Sequence, residues 1–211
     1  MTQTKTWPHL KRSLVAILRG IKPEETAGAI VALVNAGFEA IEIPLNSPTP
    51  FDSIRIAVKT APSHCLIGAG TVLTIEDVDR LAKVGGSLMI SPNVDPDVIG
   101  RAGTHGMITM PGVFTPTEAL SAVKAGASAL KFFPANILGP AGITAIRAVL
   151  PADLEIGAVG GVSHENFAHY REAGIRTFGL GSSLYKPGMT AAEIEKRAIV
   201  SIDAYDAIFG G

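Results

Sequence analysis

The sequence predicts an α/β fold, a single (β/α)8 TIM barrel with a parallel eight-stranded core. Short apolar runs alternate eight times with longer amphipathic segments, and such unbroken alternation favours one parallel sheet covered by helices. The turns between the two kinds of segment are rich in glycine and proline, as expected for a chain that reverses often. At 211 residues the chain is near the lower end of the length of such barrels, and we expect residues 1–211 to form one domain.

The predicted strands are runs of four to six residues, rich in alanine and branched aliphatic side chains. Their length and composition are typical of strands in a parallel sheet. The eight strands are predicted at Leu14–Leu18, Ala40–Leu45, Cys65–Ala69, Ser87–Ser91, Met107–Pro111, Ala129–Phe133, Glu155–Val159 and Thr177–Leu180.

The predicted helices lie between the strands and carry start and stop signals. Thr115-Pro116-Thr117-Glu118 is one of several helix-start signatures, and Gly37 is one of several glycines that follow a helix. The helices are predicted at Pro23–Ala36, Pro50–Ala61, Ile75–Val84, Pro96–Ala102, Pro116–Ala125, Pro140–Leu150, Ser163–Ala173 and from Ala191 to roughly Phe209.

A doubly wound open sheet is the alternative fold for this alternation. Its dinucleotide-binding fingerprint needs a third glycine where this chain has Leu73, after Gly68-Ala69-Gly70. The sequence has no P-loop motif either. The barrel is therefore the favoured fold.

Composition and charge exclude several classes of protein. With 47% hydrophobic and 18% charged residues, the chain is too apolar for a disordered protein or a simple coiled coil. Eighteen Lys and Arg against 19 Asp and Glu give a net charge of −1, without the basic run that would hold nucleic acid. The apolar runs are far shorter than the ~20 residues that span a bilayer. We expect no nucleic acid and no membrane among the partners.

The N-terminal segment and the cysteine content favour a cytoplasmic protein. Met1 to Lys11 is polar and has no apolar signal core. Cys65 is the only cysteine, which permits no internal disulfide and fits a reducing compartment.

Glu42 is a charged residue inside the second predicted strand. Side chains alternate along a strand, so Ile41 and Ile43 face the helices while Glu42 and Asn46 face the inside of the barrel. A buried carboxylate is costly without a partner. Glu42 is therefore either a core residue with a structural partner or a titrating group of a functional site.

Lys131 is the only one of nine lysines that lies in a strand-like apolar run. It shares the inward face with Ala129 and Phe133, where an ammonium group must pair with a carboxylate or lose its proton. A neutral, desolvated lysine is a good nucleophile towards carbonyl groups. A structural ion pair with Glu42 is the alternative, and both roles are compatible, because imine chemistry needs a base beside the lysine.

Arg19 is the third charged residue expected at the same end of the barrel. Val15, Ile17 and Arg19 alternate along the first strand, which places the guanidinium at the end where barrel enzymes hold their sites. It could bind a carboxylate or phosphate bidentately, or it could be an exposed loop arginine.

Two glycine-rich loops follow the seventh and eighth strands. They contain Gly160 and Gly161 in one case and Gly181 and Ser182 in the other. Barrels often bind a phosphate here through backbone N–H groups, and tight turns are the alternative interpretation. Thr71, after the third strand, could contact substrate or cap a turn. The five histidines show no paired ligand spacing, so no metal is expected.

Seven motifs at the strand ends are specific in combination and run from about Leu14 to Tyr185. They are Ala16-Ile17-Leu18-Arg19-Gly20, Glu42-Ile43-Pro44-Leu45-Asn46-Ser47-Pro48, Gly68-Ala69-Gly70-Thr71-Val72-Leu73, Ser91-Pro92-Asn93, Met110-Pro111-Gly112, Leu130-Lys131-Phe132-Phe133-Pro134 and Val159-Gly160-Gly161-Val162. Together they closely resemble the class I aldolases for 2-keto-3-deoxy-6-phosphosugar acids. The resemblance implies a homotrimeric (β/α)8 barrel, without metal or organic cofactor, that reversibly cleaves a phosphorylated sugar acid to pyruvate and glyceraldehyde 3-phosphate.

The resemblance also implies roles for individual residues. Lys131 corresponds to the lysine that forms the Schiff base, and Glu42 to the general acid and base. The implied substrate-binding residues are Arg19 and Thr71 for polar groups, Phe133 for the pocket wall, and Gly160, Gly161, Gly181 and Ser182 for the phosphate.

Asn46 and Val159 imply the branch of the family. The gluconate branch often has arginine and threonine at these two positions, so the chain looks like the galactonate branch, which cleaves 2-dehydro-3-deoxy-6-phosphogalactonate. Cleavage of the gluconate epimer at C4, or of both epimers, stays open, as does the group that holds the pyruvate carboxylate, since Asn46 has no guanidinium. The residues alone also leave two other functions open, a phosphate-binding isomerase or synthase and a non-catalytic sugar-phosphate binding protein.

Overall fold

Nine strands lie in residues 5–210, the part of the chain that the computed structural model describes. Residues 1–4 and 211 belong to the predicted domain 1–211, and residues 1–4 to the polar N-terminal segment, but they lie outside the described residues. The strands are β1 (Leu14–Ile17), β2 (Ala40–Pro44), β3 (Leu66–Gly70), β4 (Leu88–Ile90), β5 (Ile108–Met110), β6 (Gly112–Val113), β7 (Ala129–Phe132), β8 (Glu155–Val159) and β9 (Thr177–Leu180).

All nine strands belong to one parallel sheet, in the order β5-β4-β3-β2-β1-β9-β8-β7-β6. The two edges of the sheet, β5 and β6, are consecutive in the chain. The sheet therefore curves into a nearly closed barrel, and each of the eight predicted strands corresponds to a strand of it. The predicted α/β class and parallel core are confirmed.

The count of nine strands instead of eight comes from Pro111. This residue separates β5, which pairs with β4, from β6, which pairs with β7. Proline has no N–H to give to a ladder, although the Pro111 carbonyl still accepts a hydrogen bond from the Lys131 N–H at 3.0 Å. The strand predicted at Met107–Pro111 is thus shorter, and Gly112–Val113 is a strand that the sequence pattern does not predict.

Eight helices lie between or after these strands in residues 5–210. Thr115 and Thr190 begin two of them with reciprocal bonds to Glu118 and Glu193, the capping box that satisfies free N–H groups of a first turn. The helices are α1 (Pro23–Ala36), α2 (Pro50–Thr60), α3 (Ile75–Lys83), α4 (Pro96–Thr104), α5 (Pro116–Lys124), α6 (Ala135–Arg147), α7 (Phe167–Glu172) and α8 (Ala191–Phe209).

Two helices, α6 and α7, begin more than two residues away from their predicted starts, each for a local reason. A helical turn precedes the predicted start of α6 at Pro140, and Gly139, with φ 70°, breaks the helix between them. The predicted helix Ser163–Ala173 begins only at Phe167. Its first residues form a turn instead, because the Asn166 side chain accepts a bond from the Ser163 N–H at 3.0 Å and donates to the Gly161 carbonyl at 2.9 Å.

Apolar side chains form one core between barrel and helices and a smaller core inside the barrel. Ile41 and Ile43 belong to the outer core, as the alternation along β2 predicts. Ala40 and Ala129 belong to the inner core, and Glu42 and Lys131 lie two residues further along the same strand faces. Both charged side chains therefore point into the barrel, towards the C-terminal ends of its strands.

The N-terminal end of the barrel is closed by the segment that precedes β1. Leu10 is buried in the inner core, and Trp7 packs against it. Trp7 also lines a cavity of about 350 Å³ beside Ser13, Ser128 and Glu155, which lie at or directly before the starts of β1, β7 and β8. Within residues 5–210, none of the helices has the length and apolar character required to cross a membrane.

Candidate active site

Glu42 is buried inside the barrel on β2, with 2% of its surface exposed. Its Oε2 atom has no hydrogen-bond partner among the described residues. Burial raises the pKa of Glu42 to about 7, although Lys131 and Arg19 oppose the rise through their positive charges. A carboxyl group with this pKa exists in both protonation states near neutral pH, which is what a group that accepts and returns a proton requires.

Lys131 is buried on β7, with 6% of its surface exposed. Burial lowers the pKa of Lys131, Arg19 lowers it further, and Glu42 opposes the change. Its Nζ atom lies 5.1 Å from the centre of the Phe133 ring, within the range of a cation–π contact. No direct ion pair within 4.0 Å joins Lys131 to Glu42 among residues 5–210, so the two groups interact through space and not as a structural pair.

A glycine on the neighbouring strand makes room for Glu42. A Cβ atom on Gly70 would overlap the Glu42 carboxylate. Lys131 lies in register with Gly112 on one side and Gly157 on the other. The glycine at position 70 keeps space open for a charged group that a packed barrel interior would otherwise exclude.

Arg19 lies two residues beyond the end of β1 and is exposed. Its Nη1 atom donates a hydrogen bond to the Asn46 side-chain oxygen at 2.5 Å. Arg19 thus belongs to the turn after the strand, and its guanidinium is close enough to affect the pKa values of Glu42 and Lys131. Asn46 is exposed as well and orients Arg19.

A pocket of about 340 Å³ opens at the C-terminal end of the barrel. Seven of the residues that the sequence singles out line it, namely Arg19, Phe133, Val159, Gly160, Gly161, Gly181 and Ser182. Glu42, Lys131 and Thr71 are not among the lining residues. Phe133 connects the pocket to the buried Lys131, because the Phe133 ring lines the pocket and contacts Lys131.

The first of the two glycine loops adopts a backbone conformation that favours glycine. Gly160 and Gly161 have φ of 95° and 70°, which L side chains rarely adopt. A Cβ on Gly161 would also come within 2.6 Å of the Asn136 side chain. Gly181, in contrast, has open space where a Cβ would stand. The first loop is thus closely packed, whereas the second presents its backbone to the pocket.

Thr71 has a left-handed backbone, with φ 57°. This conformation is strained for a β-branched residue. Thr71 follows Gly70 directly at the end of β3, next to the glycine that makes room for Glu42. The structure therefore places it close to the carboxylate and outside the pocket.

Lys186 and Tyr185 also line the pocket, and the sequence pattern selects neither of them. Lys186 is exposed and brings a second cation to the pocket beside Arg19. Tyr185 is buried, and burial together with the nearby Glu25 raises the pKa of Tyr185 to about 12. Their position shortly after the second glycine loop is the only sequence signal that could have indicated them.

The residues at this end of the barrel can bind an anion beside an amine. Arg19 and Lys186 are cations at its opening, and the glycine loops supply backbone N–H groups. No group of three His, Cys, Asp or Glu side chains in residues 5–210 is placed to hold a metal ion.

Comparison with known proteins identifies the family. A family model described as KDPG and KHG aldolase matches residues 9–204. The chain belongs to this aldolase family. The resemblance stated from the motifs is confirmed, and the chain is an aldolase, an enzyme of the lyase class.

Relatives in this aldolase family share most of the chain. A protein of Rhizobium meliloti named probable 2-dehydro-3-deoxy-6-phosphogalactonate aldolase is 69% identical over 97% of this chain and 96% of its own length. The Escherichia coli protein named 2-dehydro-3-deoxy-6-phosphogalactonate aldolase is 47% identical over 92% and 95%. A solved structure described as native KDPGal is 46% identical, with a TM-score of 0.93 over 97% of this chain and 98% of that one.

Proposed function

We propose that this aldolase reversibly cleaves 2-dehydro-3-deoxy-6-phospho-D-galactonate to pyruvate and D-glyceraldehyde 3-phosphate through a Schiff base on Lys131. The observation that carries the proposal is the pair of buried groups inside the barrel. A lysine of lowered pKa and a carboxyl group of raised pKa point into the same space, next to a pocket that can bind an anion. Groups with such shifts concentrate at catalytic sites.

Lys131 acts first, as a nucleophile. The lowered pKa increases the fraction of neutral amine, and the Nζ lone pair attacks the C2 carbonyl carbon of the sugar acid. Loss of the C2 oxygen as water leaves a positively charged imine. Its role is to receive the electron pair of the C3–C4 bond.

Glu42 acts next, as the base. Its carboxylate takes the proton of the C4 hydroxyl group while the C3–C4 bond breaks, so that C4 becomes the aldehyde carbon of glyceraldehyde 3-phosphate. The electron pair moves through C3 into an enamine. Glu42 then returns the proton to C3, and water hydrolyses the pyruvate imine and frees Lys131. The water consumed in this last step balances the water released when the imine forms.

The phosphate is proposed to bind between the two glycine loops. Gly160, Gly161, Gly181 and Ser182 supply backbone N–H groups at the opening of the pocket, and Lys186 adds a cation. Arg19 and Thr71 are proposed to bind the hydroxyl and carboxylate groups of the substrate, which lie nearer to Lys131. With Asn46 engaged by Arg19, the guanidinium itself is our candidate for the pyruvate carboxylate.

Val159 supports the galactonate epimer as substrate. Its apolar side chain lines the pocket and is almost fully buried, so it offers no hydrogen bond to a C4 hydroxyl group. A polar contact of this kind is worth ~1–3 kcal/mol, which gives a preference and not an absolute selection. The names of the two relatives point the same way. The family also contains KDPG aldolases, which keeps the gluconate epimer as the alternative substrate.

A homotrimer is proposed for the assembly, as the resemblance implies. Several large apolar side chains between residues 73 and 137 are exposed, and exposed apolar side chains are candidates for an association surface. They are Leu73, Ile75, Phe114, Leu120 and Ile137. Light scattering after size-exclusion chromatography should give three times the mass of the chain.

We propose that residues 1–211 act as one domain, which the family match over 9–204 supports. β5 and β6 then count together as one of eight barrel strands, because only Pro111 separates them. A cytoplasmic location is proposed because the substrate and products are intermediates of metabolism.

Trapping with borohydride tests the Schiff base. Reduction in the presence of pyruvate should add one pyruvate-derived group to the wild-type protein, and peptide mass spectrometry should find it on Lys131. Lys131→Met should form no adduct and should lose several orders of magnitude in the rate of pyruvate release. An unmodified wild-type Lys131, or an active Lys131→Met variant, would overturn the proposal.

Parallel retro-aldol rates with the galactonate and gluconate epimers test the substrate. We expect a higher kcat/KM for the galactonate epimer. Ligand binding without pyruvate release from either epimer would instead indicate a sugar-phosphate binding protein.

A further inference from the structure

The second glycine loop is folded into a single turn that ends at Tyr185. The N–H groups of Leu184 and Tyr185 both donate to the Gly181 carbonyl, at 2.9 Å each. In a single turn, the carbonyl groups that follow the first residue have no hydrogen-bond partner within the turn. Ser182 and Ser183 carry those carbonyls.

Arg197 supplies the missing partners from a different element. It lies on α8 and is partly buried, and its Nη1 atom donates to the carbonyls of Ser182 and Ser183, at 3.4 and 3.5 Å. A cation at this end of a turn is also favoured by the direction of the peptide dipoles. One side chain thus holds two consecutive peptide groups of the loop.

Ser183 attaches the same turn to the first glycine loop. Its hydroxyl group donates to the Val162 carbonyl at 3.0 Å, and Val162 follows Gly160 and Gly161. Arg197 therefore acts on a pair of linked loops, whose other face is the pocket.

We propose that Arg197 is a positioning residue for the phosphorylated end of the substrate. It does not line the pocket and acts through the loop, by fixing the direction in which the N–H groups of residues 181–183 point. Preorganised donors bind a ligand without first losing conformational freedom. This inference rests on the proposed function, because it presupposes that the loop receives the phosphate.

Loss of the Arg197 side chain should weaken only the binding of the substrate's phosphate. Without Arg197, the substrate should bind more weakly by its phosphorylated end, whereas imine formation and C–C cleavage at Lys131 and Glu42 should proceed as before. A merely structural role would instead reduce the amount of folded enzyme, which changes the apparent kcat and leaves KM unaltered.

The experiment compares Arg197→Ala and Arg197→Lys with Lys196→Ala. Lys196 is the adjacent, exposed residue of α8 and makes no side-chain hydrogen bond in the described part of the chain. Each variant is assayed for retro-aldol cleavage of the phosphorylated sugar acid and of the same acid with a free hydroxyl group in place of the phosphate. Borohydride trapping of pyruvate counts the competent active sites, which corrects kcat for any loss of folded protein.

We expect Arg197→Ala to raise KM for the phosphorylated substrate about tenfold, which is the effect of losing one moderate interaction. KM for the unphosphorylated acid and the trapped fraction should stay the same. Arg197→Lys, which keeps the charge, should recover part of the affinity, and Lys196→Ala should equal the wild type.

Equal changes of KM for the two substrates, or no change in either, would overturn the inference. Failure of the proposed function has a different signature, since the wild-type protein itself would then release no pyruvate. The two failures are therefore distinguishable in the same set of assays.

Discussion

Gly70 and Glu42, on neighbouring strands, share a space that only one of them can fill. A Cβ atom on residue 70 would occupy the position of the Glu42 carboxylate. Pairing of Pro44 with Gly70 in the β2–β3 ladder fixes the two backbones relative to each other. The missing side chain of one residue is thus a condition for the charged side chain of the other.

The first prediction concerns Gly70→Ala. The added methyl group should displace the Glu42 carboxylate and lower kcat by about 100-fold, the size of effect that follows when a reacting group is moved by ~1 Å. Overpacking should also reduce the free energy of unfolding by ~1–3 kcal/mol. Steady-state kinetics and urea denaturation measure the two effects.

Gly100→Ala is the matched control for that substitution. Gly100 lies inside α4, and a Cβ atom added there would have nothing within 4 Å. The change should therefore stabilise the protein by ~0.5–1 kcal/mol and leave kcat unchanged. If Gly70→Ala behaved like Gly100→Ala, the shared space would have no functional meaning.

The second prediction concerns the dependence of stability on pH. The pKa of Glu42 is raised to about 7 in the folded protein, so the folded state holds its proton more tightly than the unfolded state. The resulting stability is fully present below the ordinary pKa of a glutamate and is lost as pH rises through about 7. Glu42→Gln removes this titration.

Urea denaturation of Glu42→Gln and wild-type protein at about pH 4 and about pH 8.5, on either side of the titration, tests this prediction. Relative to wild type, the glutamine variant should gain roughly 3 kcal/mol between the two pH values. A constant difference between the two proteins across this range would contradict the raised pKa. The variant should also lose most of its retro-aldol activity, since an amide cannot accept the C4 proton.

The third prediction concerns Val159→Thr. The two side chains have similar volume, and the hydroxyl group adds one hydrogen-bonding partner to the pocket wall. The ratio of kcat/KM for the gluconate epimer over the galactonate epimer should rise about 5- to 150-fold, as one polar contact of ~1–3 kcal/mol predicts. Rates with both purified epimers measure the ratio, and an unchanged ratio would show that residue 159 does not read C4.

The fourth prediction concerns the pair of Arg12 and Asp206, which ties the segment before β1 to α8. Arg12 donates to both carboxylate oxygens of Asp206, at 2.7 and 2.5 Å, and this bonding holds the pKa of Asp206 below its usual range. Asp206→Asn should lower the free energy of unfolding by ~1–2 kcal/mol at neutral pH.

The sign of the pH effect follows from the lowered pKa. The stabilisation by Asp206 is present above the ordinary pKa of an aspartate and is lost as pH falls through the lower, folded value. The wild type and Asp206→Asn should therefore converge in stability in acid. Asp52→Asn, at an exposed pair with Arg55, is the control and should have little effect at any pH. Divergence of the two stabilities in acid would contradict the assignment.

The alternation of side chains was sufficient to predict the barrel and its two inward charges. Ile41 and Ile43 face the helices and Glu42 faces inward because successive residues of a strand must point to opposite sides. Arg19 lies beyond the strand, in a turn, yet it lines the pocket at the end of the barrel where the alternation along β1 places it. Local hydrogen bonding decided the start of α7, since the Asn166 amide competes with helix formation, and no apolar period reveals that competition.

Contacts between distant parts of the chain could not be predicted from the sequence pattern. The need for glycine at position 70 depends on a carboxylate 28 residues earlier, and Lys186 reaches the pocket only through the course of the loop after β9. Arg197 is in a helix whose period shows only which face is buried. These relations are products of the nearly closed sheet, which brings together residues that are far apart along the chain.

The position of Trp7 gives the protein a built-in optical probe. It is the only tryptophan, and it packs at the N-terminal end of the barrel, at the opposite end from the pocket that holds Phe133 and the glycine loops. Trp7 fluorescence should therefore report when the N-terminal end of the barrel opens during unfolding. The same signal should hardly respond to substrate, so that conformational stability and ligand binding can be followed separately in one unlabelled sample.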